Sequence, residues 1–162
     1  MLNLTYFYIY NFLITKTKEL MKPLYPILIA LIGASLGVFF VYNGVDKHFI
    51  SPCNIYGPES TLPQDYINLM TALCSSGFTK VVGSLEVFAG ILLVFPRTRL
   101  LGTIVLLPVI SSIFLLHLLL DNRPDELIET GIPLAGVFLM LLYHYKEWRF
   151  MIHGKSKQYS FS

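Results

Sequence analysis

Charge is what this chain has least of: charged residues make up 14% of its 162, where soluble domains carry about 25%. Twelve Lys/Arg against ten Asp/Glu leave a net charge of +2. So few charges could not cover the apolar surface of a chain that is 54% hydrophobic, with a mean hydropathy of +0.62. These figures exclude an ordinary soluble domain, and they exclude disorder, which requires low hydrophobicity. Lys/Arg-rich blocks are missing, so nucleic acid is not an expected partner. Cysteine is scarce as well: Cys53 and Cys74 stand alone, too few for a disulfide scaffold and without C-x-x-C spacing. No pair of histidines has metal-ligand spacing, and no metal site is expected. What is left is an integral membrane protein, with the lipid bilayer as its first partner.

A membrane helix needs about 20 predominantly apolar residues. Four runs answer to that, at about 24–45, 79–96, 100–120 and 127–145. They are continuous rather than alternating, which excludes barrel strands. Short breaks separate the later ones: the basic Phe95-Pro96-Arg97-Thr98-Arg99 and the acidic stretch from Asp121 to Glu126. Short connections make neighbours antiparallel. The fold class is therefore all-α, an antiparallel four-helix membrane bundle forming one domain over 22–146. The long connection from His48 to Phe78 carries a helix of its own, with Thr61 as cap, Pro63 in the first turn, and Tyr66, Leu69, Met70 and Leu73 on one face before Gly77. It reads as an amphipathic segment at the interface or over the bundle.

Lys16, Lys18, Lys22, Arg97, Arg99, Lys146, Arg149, Lys155 and Lys157 fall on one side of these spans, against Lys47, Lys80 and Arg123 on the other. The excess places both termini and the basic hairpin in the cytoplasm, with residues 147–162 as a basic tail. Tyr143, Tyr145 and Trp148 then form the inner aromatic anchor. His144 and His153 lie among inner basic residues and are expected to be solvated. The stretch 1–21 is apolar over too short a length to span, and lacks a signal-peptide pattern. Met21-Lys22-Pro23 reads as a second start, so 1–21 is either an untranslated extension or an interfacial helix.

Ionisable groups inside spans are expensive, and Glu86 is the clearest case. Gly83 and Gly90 flank it at i−3 and i+4, which points the acid into the bundle. Asn43 and Lys47 end the first span nearby, and Ser111, Ser112 and His117 lie at similar depth on the third. Two readings of this polar cluster stand open. In one, Lys47–Glu86 and Ser112–His117 are structural bonds that set helix registry. In the other the group lines a cavity open to the outer side, binding a quinone-like head or relaying protons. Cys53 and Cys74 could close a disulfide if the outer compartment is oxidising. Ala30, Gly33, Gly37 and Gly44, with Gly131 and Ala135, permit close helix packing within the chain, or a homo-oligomer seam.

Taken together, three stretches resemble the DoxX family of small four-span membrane proteins. They are LGVFFVYNGVDKHF with Gly44 and Lys47, KVVGSLEVFAGILLVFPRTRLLG with Glu86, Gly90, Pro96 and Arg97, and LLPVISSIFLLHLLLD with Pro108 and His117. Where the family pattern often has Asn five residues before the histidine, this chain has Ser112. The resemblance implies a bacterial inner-membrane protein linked to quinone or thiol redox chemistry, with quinone as cofactor and membrane or periplasmic redox proteins as partners. A non-catalytic membrane scaffold is the alternative. A small-solute carrier is disfavoured, because the spans show no inverted repeat and the inner half is apolar.

Overall fold

In a computed structural model of the chain, residues 2–51, 53, 56, 57 and 59–153 are described; side chains are described for Lys16 and, with the same gaps, from Leu24 to Arg149. Among the described residues every regular element is helical. Helix α1 is Leu2–Val45 and runs without a break through the expected boundary near Met21. A π-helical turn, Asp46–Ile50, continues it. Then come α2 (Gln64–Ser75), α3 (Phe78–Val94), α4 (Arg99–Leu116) with a second π turn at His117–Asp121, α5 (Pro124–Tyr143) and α6 (Tyr145–His153).

The sequence accounts for most of these limits. Helix α5 begins with Pro124 in its first turn, where a missing N–H costs nothing, followed by Asp125 and Glu126 at the positive end of the helix dipole. Gly77, at φ +75°, lets the chain turn sharply between α2 and α3, which are bent by 78°. The expected Thr61 cap is absent: Pro63 directly precedes α2, and Ser60 Oγ instead accepts from the Leu62 amide at 3.3 Å. Pro63 has a pre-set φ and needs no donor, which moves the cap position from Thr61 to Pro63 and the first helical residue to Gln64.

Leu24–Ile50, Arg99–Asp121 and Pro124–Tyr143 are each long and apolar enough to cross a membrane, and the bent pair α2–α3 is a fourth candidate. Large apolar side chains face outward on every long helix, among them Val38, Phe88, Leu119 and Ile132. This is the inverse of a soluble surface, where such patches stay small. The core takes a contribution from each: Phe40 of α1, Leu93 of α3, Leu106 of α4, and Val137 and Met140 of α5.

The register is antiparallel around the ring. A Cβ on Gly37 would stand 2.6 Å from the Gly90 carbonyl oxygen, and one on Gly90 would stand 2.8 Å from that of Gly37. Further along, Gly44 lies against the Gly83 carbonyl. As α1 advances from 37 to 44, α3 therefore retreats from 90 to 83. On the other flank Tyr25 meets Tyr143, Leu36 meets Gly136, and Lys47 meets Glu129, so α1 and α5 also run in opposite senses. The two ends of the bundle differ in charge: an acidic end carries Asp46, Asp121, Asp125, Glu126 and Glu129, and a basic end carries Arg97, Arg99, Lys146 and Arg149.

Candidate functional site

The acidic end gathers its polar groups through the two π turns. The turn after α1 points His48 at α3, and the missing side chain of Gly83 makes room for the imidazole, whose Cβ lies 2.5 Å from where a glycine Cβ would sit. His48 Nε2 then stands 3.1 Å from Glu86 Oε2, with the two side chains 16% and 7% exposed. The approach is close but off the hydrogen-bond direction, so that buried oxygen has no aligned donor. The pair is set by the packing of the π turn against Gly83 rather than by a directed bond.

A second cluster forms where α4 ends. The π turn closes with the Asn122 amide on the His117 carbonyl at 2.6 Å, and Asn122 takes a left-handed φ of 47°. This geometry brings Asp121, whose side chain is fully covered, to 3.2 Å from His117 Nδ1 and 2.9 Å from Arg123 Nη2. Arg123 reaches on to Glu126 at 3.0 Å, and His117 Nε2 lies 3.7 Å from Glu126. Among the described residues no three such ligands converge on a metal position. Instead, the guanidinium neutralises the carboxylates. Helix α2 covers this network, with the buried Tyr66 ring 5.9 Å from the His117 ring. Burial, followed by the charges of Tyr56, Asp121 and Glu126, pushes the Tyr66 hydroxyl up to about 12. Cys53 and Cys74 are joined in a disulfide, with Cα atoms 6.1 Å apart, which ties the exposed loop to α2.

Several expectations change here. Lys47 does not meet Glu86; it bonds Glu129 at 2.7 Å across to α5, and His48, one residue on, takes the acid. The physical reason is rotational phase: His48 continues the packed face of Gly37 and Gly44, whereas Lys47 emerges toward α5. Ser112 does not meet His117, because its hydroxyl donates to the Pro108 carbonyl at 2.7 Å. Asn43 likewise donates within its own helix, to the Phe39 carbonyl at 2.9 Å. Ser111 takes part in neither cluster. The predicted group thus divides into a His48–Glu86 pair and a His117 network. His48, Asp121, Arg123, Glu126, Glu129 and Tyr66 were missed. The spacing of His117, Asp121 and Arg123 could have flagged the network, had the stretch been read as a helix end rather than a loop.

The basic end holds two more corrections. Arg97 is exposed, but Arg99 is only 6% exposed, with Nε donating to the Leu93 carbonyl at 3.1 Å. His144, expected in solvent, is 7% exposed and lies 3.0 Å from Glu147 Oε2 through Nδ1. The side chain of His153 lies outside the described residues.

An apolar groove of about 650 Å³ runs between α1 and α3, along Val38, Val41, Ile91 and Val94, and Tyr42 and Asp46 are the polar side chains lining it. The π turn Asp46–Ile50 joins this groove to the buried pair. Asp46 and Ile50 line the groove, and His48 between them faces Glu86. Comparison of the chain with family profiles, curated proteins and solved structures finds no match, so the likeness to the DoxX pattern rests on the quoted stretches alone.

Proposed function

We propose that the chain is a multi-span protein of a bacterial cell membrane that supports quinone- or thiol-linked redox chemistry at the acidic end of its bundle, together with partner proteins. In this reading both termini and the basic end face the cytoplasm, by the distribution of Lys and Arg. The observation that carries the proposal is the π turn Asp46–Ile50, which sets a buried acid–imidazole pair beside the polar mouth of an apolar groove. Helical π turns are frequent at functional sites. The groove suits the apolar tail of a quinone, and the Tyr42 hydroxyl is the side-chain donor that could hold a ring carbonyl. A quinone accepts an electron pair and a proton pair on reduction. Oxidation of a thiol pair to a disulfide releases both, so a partner bearing thiols balances the reaction. The part assigned to this chain is proton handling by the buried His48 and Glu86 side chains, which the same π turn sets next to the groove.

A second reading, a non-catalytic scaffold, is favoured by one observation. Asp121 finds both His117 and Arg123, so that network is satisfied within the chain. The experiment that separates the two is extraction of the detergent-purified protein for bound quinone. Reconstituted protein is then assayed for quinone reduction with thiol donors, comparing wild type with Glu86→Gln, His48→Leu and His117→Ala. The redox reading expects bound quinone and a slower rate in the first two variants. No quinone, with rates equal across the set, would leave the scaffold.

A further inference from the structure

We infer that the groove between α1 and α3 binds a single-chain amphiphilic cation, with its ammonium head at Asp46 and Tyr42 and its tail running toward Ile91. Asp46, Lys47 and His48 leave the first π turn in three directions. Lys47 crosses to Glu129 of α5, His48 turns to Glu86 of α3, and Asp46 lines the groove. Both neighbouring bases are thus taken by other acids, and Arg123 is held by Asp121 and Glu126. Among the described residues no Lys, Arg or His, Lys80 included, stands within ion-pair distance of Asp46. The acid is half-buried, in a wall made mostly of Val, Ile and Phe. A carboxylate at a lipid-facing apolar surface is expensive without a counter-charge, and a neutral quinone ring brings none.

The shape of the groove is an independent observation. Its volume of about 650 Å³ falls in the range of sites for one small ligand. Val94 of α3 packs against Gly37, so Ile91 and Val94 line the groove near that level of α1. Asp46 stands nine residues further along, a rise of about 13 Å. The groove therefore has an apolar end between two helices and a charged end at the acidic cap, the polarity of an amphiphile lying along the bilayer normal. Tyr42 lines the groove one turn before Asp46 and is 69% exposed, which leaves its ring face open for cation–π attraction. A quaternary ammonium has no N–H to donate, and a carboxylate and an aromatic face are what it needs. A two-chain phospholipid fits less well, because its phosphate would come to the same carboxylate. The inference does not rest on the redox reading, which places a neutral ligand in this groove.

Native mass spectrometry of the full chain in a non-ionic detergent tests this, with tetradecyltrimethylammonium and tetradecanol as probes that share a chain and differ in charge. Each probe is compared between wild type and variant in the same detergent, so partition into micelles cancels. Asp46→Asn should bind the ammonium about fivefold more weakly, the worth of a half-exposed ion pair, and the alcohol as wild type does. Tyr42→Leu should weaken the ammonium by about two- to fivefold. Ile91→Trp, which fills the apolar end, should weaken both probes. Asp125→Asn removes an exposed acid of the same end outside the groove and should bind both as wild type does. The inference is overturned if wild type does not bind the ammonium, or if Asp46→Asn binds it as wild type does. An equal loss in Asp125→Asn overturns it too, since the acidic end would then attract cations without a site, as does unchanged ammonium binding in Ile91→Trp. If Asp46→Asn does not fold, Tyr42→Leu and Ile91→Trp decide, and unchanged binding in either overturns the inference. These outcomes stand whether or not quinone is extracted from the protein, so the two readings fail separately.

Discussion

The crossing of α1 and α3 offers the sharpest test of the packing, because two backbones meet there with nothing flexible between them. In Gly37→Ala the new methyl carbon would stand 2.6 Å from the Gly90 carbonyl oxygen and 2.7 Å from Val94 Cγ2. Carbon-to-carbonyl contacts settle at about 3.3–3.6 Å, so the helices must part by about 0.7 Å. A gap of that size forfeits between a quarter and a half of each dispersion contact along the seam. Overpacking of this kind costs about 1–3 kcal/mol. Alanine also favours helix over glycine by about 0.8–1.0 kcal/mol, which would mask part of the loss. Gly136→Ala removes that ambiguity, since the atoms nearest its methyl belong to the Leu36 side chain, the first at 3.1 Å, and not to a backbone. The propensity gain is common to both variants, so their difference isolates the clash. Gly37→Ala should be less stable than Gly136→Ala by about 1–3 kcal/mol, or about five- to 150-fold in the unfolding equilibrium. Titration with sodium dodecyl sulfate in mixed micelles, followed by helical circular dichroism, measures this. Equal midpoints and slopes for the two variants would refute the close backbone approach.

The charged cap yields the other predictions. Asp121→Ala removes the covered carboxylate between His117 and Arg123, with Glu126 left to partner both, and should cost about 1–3 kcal/mol, whereas Lys47→Ala breaks a half-exposed pair and should cost about 1 kcal/mol or less; the same titration compares them. Because the Tyr66 pKa is raised to about 12 in the folded chain, its contribution is fully present below the ordinary value near 10, falls as pH rises from about 10 to 12, and should vanish from the pH profile of Tyr66→Phe. Reduction of Cys53–Cys74 releases a loop of 21 residues and should lower stability by about 3 kcal/mol, with free thiols appearing only after reductant. In intact cells a membrane-impermeant thiol reagent should then label Cys53 but not a Thr98→Cys variant, and the reverse pattern would invert the proposed orientation.

Much of the architecture was legible from local pattern. The apolar runs at 79–96, 100–120 and 127–145 correspond to α3, α4 and α5 within a few residues, and the run at 24–45 to the second half of the much longer α1, because a run of that length and composition can satisfy its backbone only as a helix. The amphipathic α2 and the inward aim of Glu86 follow from spacing on a single helix. Thr61 shows the limit of such reasoning, since Pro63 overrode a plausible cap. His144 and Arg99 show another. Both sit in basic stretches that look solvated, yet both are buried, Arg99 where its side chain lies against Gly33 of α1.

Helix content, span limits and the sorting of charge to the two ends were determined by the sequence itself, because each depends on residues contiguous along the chain. Partnership was decided by the tertiary structure. Lys47 and His48 are adjacent, lie at one depth and carry similar chemistry, yet they go to different acids on different helices. What separates them is one residue's rotation about the helix axis, set by the Gly37–Gly90 and Gly44–Gly83 contacts and by π turns that no periodicity announces. Ionic and hydrogen-bonded pairs depend on separations of a fraction of an ångström between elements distant in sequence, and that information exists only once the helices have packed.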